Sequence, residues 1–205
     1  MKLYYIAQSC ALASHIAASE AGIPLDVVEV DLASKKTAVG ADFLAINPKG
    51  YAPALELDDG QVLTESAAIL QYLADLKPHA RLAPPNGTLA RVRLQEALNY
   101  IATELHRSYG PLFNPATPAA IREERVANLR RHYGLLERQL ASHTFLLGDE
   151  FSVADAYLYA ITRWAEVVKL DLSDYPHLQA FQKSVGARPK VQEALQAEGL
   201  LKKAA

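Results

Sequence analysis

Four groups of residues have types and spacings suited to chemistry. Cys10 is the only cysteine among 205 residues. It falls between a strand-like run at Lys2–Ile6 and a helix-like run from Ala11. In an open α/β layer, a strand's carboxyl end and the next helix's amino end share an edge, where free N–H groups and the helix dipole stabilise a thiolate. A reactive thiol fits that position, and so does a small buried filler. The second group is Tyr51-Ala52-Pro53. Pro53 has no N–H to give a ladder, so it belongs at a strand's start. A cis bond before it leaves the Ala52 N–H and C=O free to clamp an extended ligand, yet only about 5% of such bonds are cis and trans is the ordinary expectation. The third is Glu65-Ser66, opening a helix that Thr64 can cap. The Ser66 hydroxyl and first-turn N–H groups suit an anion, and Glu65 suits an ammonium. Together they fit the α-amino acid end of a ligand, and equally a plain acidic first turn. The fourth is Asn99, Thr103 and His106, which share one face of a leucine-rich helix beside Arg107. That stripe can face a cleft, a partner or water.

The elements that position these groups divide the chain. Up to residue 80, strand-like and helix-like runs alternate: strands at Lys2–Ile6, Val27–Val30, Pro53–Leu57 and Gln61–Leu63, and an amphipathic helix from Ala11 that Gly22 ends. A short helical turn is expected at Asp42–Ile46, and a helix over Glu65–Leu76 with Ile69, Leu70, Tyr72, Leu73 and Leu76 inward. Asp58-Asp59-Gly60 makes the turn between the last two strands. The order is βαβ and then ββα in a small sheet. Lys77–Gly87 holds three prolines and a glycine and marks a boundary. The expected domains are 1–80 and 88–205, with a linker at 81–87. From Thr88 onward the chain reads as helix. One long helix carries Leu94, Leu98, Ile101 and Leu105 and weakens at Gly110-Pro111. A second covers Ile121–Leu140. Ser152-Val153-Ala154-Asp155 forms a capping box for an apolar helix running on past Trp164. Two more follow, at Pro176–Val185 and Val191–Ala197.

Composition excludes several classes. Half the residues are hydrophobic and 21% charged, as in a globular chain. The 21 Lys and Arg against 23 Asp and Glu, a net charge of −2, lack the basic excess of a nucleic-acid module. A single cysteine rules out a disulfide framework and a cysteine-based zinc cluster, and no metal is expected. No apolar run is long enough to span a membrane. The apolar start stops at Gln8-Ser9, too early for an export signal, so a cytoplasmic protein is expected.

Together these features resemble the bacterial beta-class glutathione transferases. The matching strings are Met1–Tyr4, Ser9-Cys10, Asp42–Gly50, Leu63–Ser66, Gln71–Asp75, Ala102–His106 and Phe151–Leu158, which spread over nearly the whole chain. The resemblance implies an α/β thioredoxin-like N-terminal domain followed by an all-α C-terminal domain. It also implies a homodimer and a cis Pro53. Glutathione is the implied co-substrate. Its γ-glutamyl end lies at Glu65 and Ser66, its cysteinyl backbone at Ala52 and Pro53, and its glycine carboxylate faces Lys35. Asn99 and Glu104 reach the γ-glutamyl end from the other subunit. Cys10 and His106 lie near the glutathione sulfur. Tyr5, Tyr109, Phe113 and Trp164 border the pocket for the electrophile, with Trp164 equally suited to a core.

The chain departs from the commoner pattern of that family at Ala11, where serine is frequent, and at Tyr51-Ala52, where glutamine-valine is usual. The implied reaction is attack of the glutathione thiolate on a soft electrophile. Cys10 also permits a monothiol route, in which it forms a mixed disulfide with glutathione, so a disulfide reductase or peroxidase is the competing enzyme. A ligand-binding or stress-regulatory protein on the same fold is the competing non-enzyme.

Overall fold

A computed structural model describes residues 1–201. The last four positions of the expected helical region, 202–205, lie outside the described residues. The described chain forms two compact units, Met1–Ala83 with the segment from Arg188, and Pro84–Ala187.

The first unit is built on a four-stranded sheet. β1 (Lys2–Tyr5) runs parallel to β2 (Asp26–Glu29) and antiparallel to β3 (Ala54–Glu56), which pairs with β4 (Val62–Thr64), giving the order β2-β1-β3-β4. Leu3 stands between Val27 and Leu55 in the register. A central strand covered on both faces needs no polar alternation, and Leu3, Tyr4 and Tyr5 are all buried. Gly60, at φ 84°, turns the chain between β3 and β4 where Asp58-Asp59-Gly60 predicts it.

α1 (Ala11–Ala21) ends at Gly22, whose φ of 65° lets its N–H return to the last turn. The expected amphipathic face is absent, because α1 is buried nearly all round. β1, α3 (Ser66–Leu76) and α10 (Pro189–Ala197) all pack on it. Its alanines permit that close approach, and a helix apolar on every side is an interior helix. An ion pair and a side-chain hydrogen bond hold the α10 region to α1. Arg188 binds Glu20 through two bonds of 2.6 and 2.9 Å, and Glu198 meets His15 at 3.0 Å. A short helix α2 (Phe43–Ile46) is capped by Asp42, which accepts the Leu44 N–H. On α3, Ile69, Leu70 and Leu73 are buried as expected. Tyr72 is half-buried and Leu76 is 42% exposed, since the helix ends there.

The second unit is helical. α4 (Leu89–Tyr100), a wide-turned stretch at Ile101–His106 and α5 (Arg107–Phe113) follow one another without a break. The expected weak point at Gly110-Pro111 is helical. The distortion lies upstream, where the Arg107 N–H bonds the Ala102 carbonyl five residues back. α6 (Ala119–Leu140), α7 (Val153–Thr162), α8 (Trp164–Val167) and α9 (Pro176–Gly186) complete the unit. All ten residues of α7 are buried, and its capping box forms. Among the described residues no helix is long and apolar enough to cross a membrane.

Candidate functional site

The β1–α1 turn places Cys10 at the helix's amino end, 5% exposed. Ser9 Oγ accepts the Ala11 N–H at 3.2 Å and closes that turn. The Cys10 thiol donates to the Ala52 carbonyl at 3.6 Å, and Ser66 is its second hydrogen-bonding neighbour. Burial pushes the thiol pKa up to about 11, overriding the bonds from Ser66 and the backbone, and the Glu65 carboxylate adds to the rise. Of the two readings of Cys10, this burial favours the protonated thiol: loss of solvent outweighs the dipole. Alkylation tests this on a chain with one cysteine. Iodoacetamide should modify Cys10 at neutral pH more than about tenfold slower than free cysteine, with a rate still rising above pH ~9. A profile levelling near pH 7 would contradict it.

The Ala52–Pro53 bond is cis. The Ala52 carbonyl accepts the Cys10 thiol at 3.6 Å and, with two lone pairs, can accept a second hydrogen bond. The loop before it is tied by Asn47. That buried side chain donates to the Tyr51 carbonyl at 2.7 Å and accepts the Lys49 N–H at 3.2 Å. Tyr51 itself projects outward, 75% exposed. Lys35 Nζ donates to the Gly50 carbonyl at 3.1 Å, so its ammonium lies on the same loop.

Glu65, and not Thr64, occupies the cap position of α3, without a side-chain capping bond. Its backbone has φ 71° and ψ 116°, a conformation costing a non-glycine residue about 1–3 kcal/mol and concentrated at ligand sites. Lys49 Nζ lies 2.8 Å from both the Thr64 hydroxyl and the Glu65 carboxylate. Spacing alone does not point to this pair. The carboxylate read as an ammonium acceptor accepts one here, from within the chain. Both side chains are well exposed, and such pairs are worth about 0–1 kcal/mol. A ligand ammonium can therefore displace Lys49. Ser66 is buried beside Cys10.

In the second unit the wide turns separate the expected polar face. Asn99 and Thr103 are exposed and linked, the Thr103 hydroxyl donating to the Asn99 carbonyl at 3.1 Å. His106 instead meets the buried Tyr157 hydroxyl through Nδ1 at 2.7 Å, with its ring edge-on to Trp164 at 4.9 Å. A longer turn carries the residue after it away from the α-helical face. Glu104 is drawn to His132 at 3.2 Å. Tyr109 is fully buried, with its hydroxyl 2.7 Å from that of Tyr133. Burial and Tyr133 push its pKa far up. Trp164 is mostly buried at the centre of His106, Tyr109 and Phe113, and of these aromatics Phe113 is the exposed one. Tyr5 is buried on β1, where burial raises its pKa and Glu29 and Glu198 add to the rise. Among the described residues no cluster of three or more His, Cys, Asp or Glu side chains could hold a metal ion.

The chain matches the glutathione S-transferase N-terminal domain over residues 9–76 and the glutathione S-transferase C-terminal domain over residues 100–189. The chain belongs to the glutathione S-transferase family. It is 46% identical to glutathione S-transferase GstA of Escherichia coli O157:H7 over 200 residues, covering 98% of this chain and all of that one. Two solved relatives have nearly the same fold. The bacterial beta-class glutathione S-transferase of Sphingomonas chungbukensis is 44% identical with a TM-score of 0.95. A sphingomonad glutathione S-transferase, solved with glutathione, is 43% identical with a TM-score of 0.94. Each alignment covers 98% of this chain and all of the other. Among glutathione transferases this one is thus of the bacterial beta type, with its cysteine at the β1–α1 turn.

Proposed function

We propose that this glutathione transferase binds glutathione on its first unit and transfers the glutathione thiolate to soft, apolar electrophiles. The carrying observation is Glu65, held in an unfavourable backbone conformation with a carboxylate that already accepts an ammonium at 2.8 Å. In this reading the γ-glutamyl amine replaces Lys49 at Glu65. Its carboxylate meets Ser66 and the first-turn N–H groups of α3. The backbone at Ala52–Pro53 receives the cysteinyl portion, and Lys35 receives the glycine carboxylate. Cys10, as a thiol, donates a hydrogen bond that stabilises the negative sulfur of glutathione, and His106 is the second donor to that sulfur. Phe113 and Trp164 supply apolar contacts to the electrophile. Asn99 and Glu104 serve the partner's glutathione in a homodimer, and the protein works in the cytoplasm. The protonated Cys10 counts against the reductase reading, which needs its thiolate.

Calorimetry checks the ligand assignment. Glutathione should bind at least about tenfold more tightly than Cys-Gly, and Ser66→Ala should remove most of that difference. Equal binding of the two peptides would reject the roles of Glu65 and Ser66. Absence of glutathione-dependent turnover across aryl halides, epoxides and hydroperoxides would reject the enzymatic reading.

A further inference from the structure

His132 lies in the second unit, buried on α6, and its two ring nitrogens face three side chains. Nδ1 is 2.5 Å from the Tyr100 hydroxyl of α4. Nε2 is 2.9 Å from an Arg131 guanidinium nitrogen and 3.2 Å from the Glu104 carboxylate. A guanidinium only donates and a carboxylate only accepts, so a single ring nitrogen cannot satisfy both. In the neutral ring the Arg131 donor at 2.9 Å fits a bare Nε2, so the proton is on Nδ1 and Glu104 has no hydrogen bond from the ring. With both nitrogens protonated, Glu104 is the acceptor of Nε2 and Arg131 retains its bond to Asn128 at 3.0 Å. The Tyr100 hydroxyl accepts from Nδ1 in both states.

We propose that His132 is a positioning residue that governs Glu104 by its protonation: the neutral ring leaves the carboxylate available to the ammonium of glutathione, and the imidazolium captures it. This rests on the reading of Glu104 as a contact to the γ-glutamyl amine in the neighbouring subunit. Glu104 is partly exposed and otherwise tied to the Thr103 hydroxyl at 3.2 Å, so its free end can turn either way. Burial and Arg131 lower the His132 pKa while Glu104 raises it, so the ring is neutral at neutral pH and charges on acidification. Tyr100, Glu104 and Arg131 are the titratable and charged groups that face it. α5 and α9 also pack on α6, and neither sets a charged group against the ring.

The test is glutathione affinity by calorimetry at about pH 7.5 and about pH 5.5, a window in which the γ-glutamyl ammonium and both carboxylates of glutathione keep their charges. In the unaltered protein Kd should rise about threefold on acidification, because protonation and ammonium binding compete for one carboxylate. His132→Gln should abolish that rise. Glu104→Gln should weaken binding at the higher pH and remove the pH response. If Glu104→Gln leaves Kd unchanged at the higher pH, the assignment of Glu104 to glutathione falls. If Glu104→Gln weakens binding but the unaltered protein and His132→Gln respond alike to pH, or the unaltered protein does not respond, the inference about His132 is overturned. An NMR titration of His132 in the unaltered protein keeps the test open should His132→Gln misfold. Saturating glutathione should lower the His132 pKa by the logarithm of the same factor, about half a unit or more, and an unmoved titration overturns the proposal.

Discussion

Asp155→Ala is expected to destabilise the protein by about 3–6 kcal/mol. Asp155 is fully buried at the start of α7. Its carboxylate accepts the Leu146 N–H at 2.8 Å, the Ser152 N–H at 2.8 Å and the Ser152 hydroxyl at 2.7 Å. Removing it orphans three donors, each costing about 1–3 kcal/mol with part of the loss relieved by relaxation. Ser152→Ala removes only the hydroxyl and should cost about 0.5–2 kcal/mol. The pH dependence has a definite sign. Burial raises the Asp155 pKa from 3.8 to about 6 despite those bonds. A raised folded-state pKa contributes stability that is fully present below the unfolded value and is lost as the pH rises through the folded one. Relative to Asp155→Asn, the protein should therefore lose stability between about pH 4 and 6.5. Urea unfolding at several pH values measures both effects. An Asp155→Ala midpoint within error of the original would mean that the carboxylate is not the acceptor of these donors.

His106→Ala is expected to lower kcat for conjugation by about 10²-fold, the low end of what a positioned acid–base group supplies, with little change in KM for glutathione. Tyr157→Phe is expected to cost about tenfold. Its hydroxyl bonds His106 Nδ1 at 2.7 Å and fixes the ring, whose other nitrogen is the one that serves the sulfur in the proposed reaction. The tyrosine touches no reacting atom in this scheme, so it is a positioning residue. Its loss should alter the pH profile of kcat and leave glutathione binding intact. Steady-state kinetics with an aryl halide at saturating glutathione decides the matter. An unchanged kcat in Tyr157→Phe would remove its orienting role, and an unchanged kcat in His106→Ala would place the imidazole outside the chemistry.

Much of the architecture is legible in the sequence, because its causes are local. Gly22 ends α1 because a left-handed residue is needed there, and Gly60 turns β3 into β4 for the same reason. Ser152 and Asp155 are three residues apart, within reach of each other whatever surrounds them. The motif strings from Met1–Tyr4 to Phe151–Leu158 were enough to suggest the family, and with it the cis bond that a bare X–Pro pair does not predict.

The state of the site depended on residues far apart in the chain. Whether Cys10 is thiol or thiolate turned on how completely its surroundings exclude water, with Ala52 and Ser66 closing over it from two other segments. Lys49 found Glu65 only because α3 begins beside the 47–51 loop. Tyr109 is buried with its hydroxyl paired to Tyr133, which another helix supplies. Nothing in the string Ile101–His106 announces a wide turn, yet that turn carries His106 from the Asn99 face to Tyr157. Periodicity and capping act over three or four residues and are written into neighbours. Desolvation, ion pairing and the choice of hydrogen-bond partner act through space, and folding alone brought those groups within range of one another.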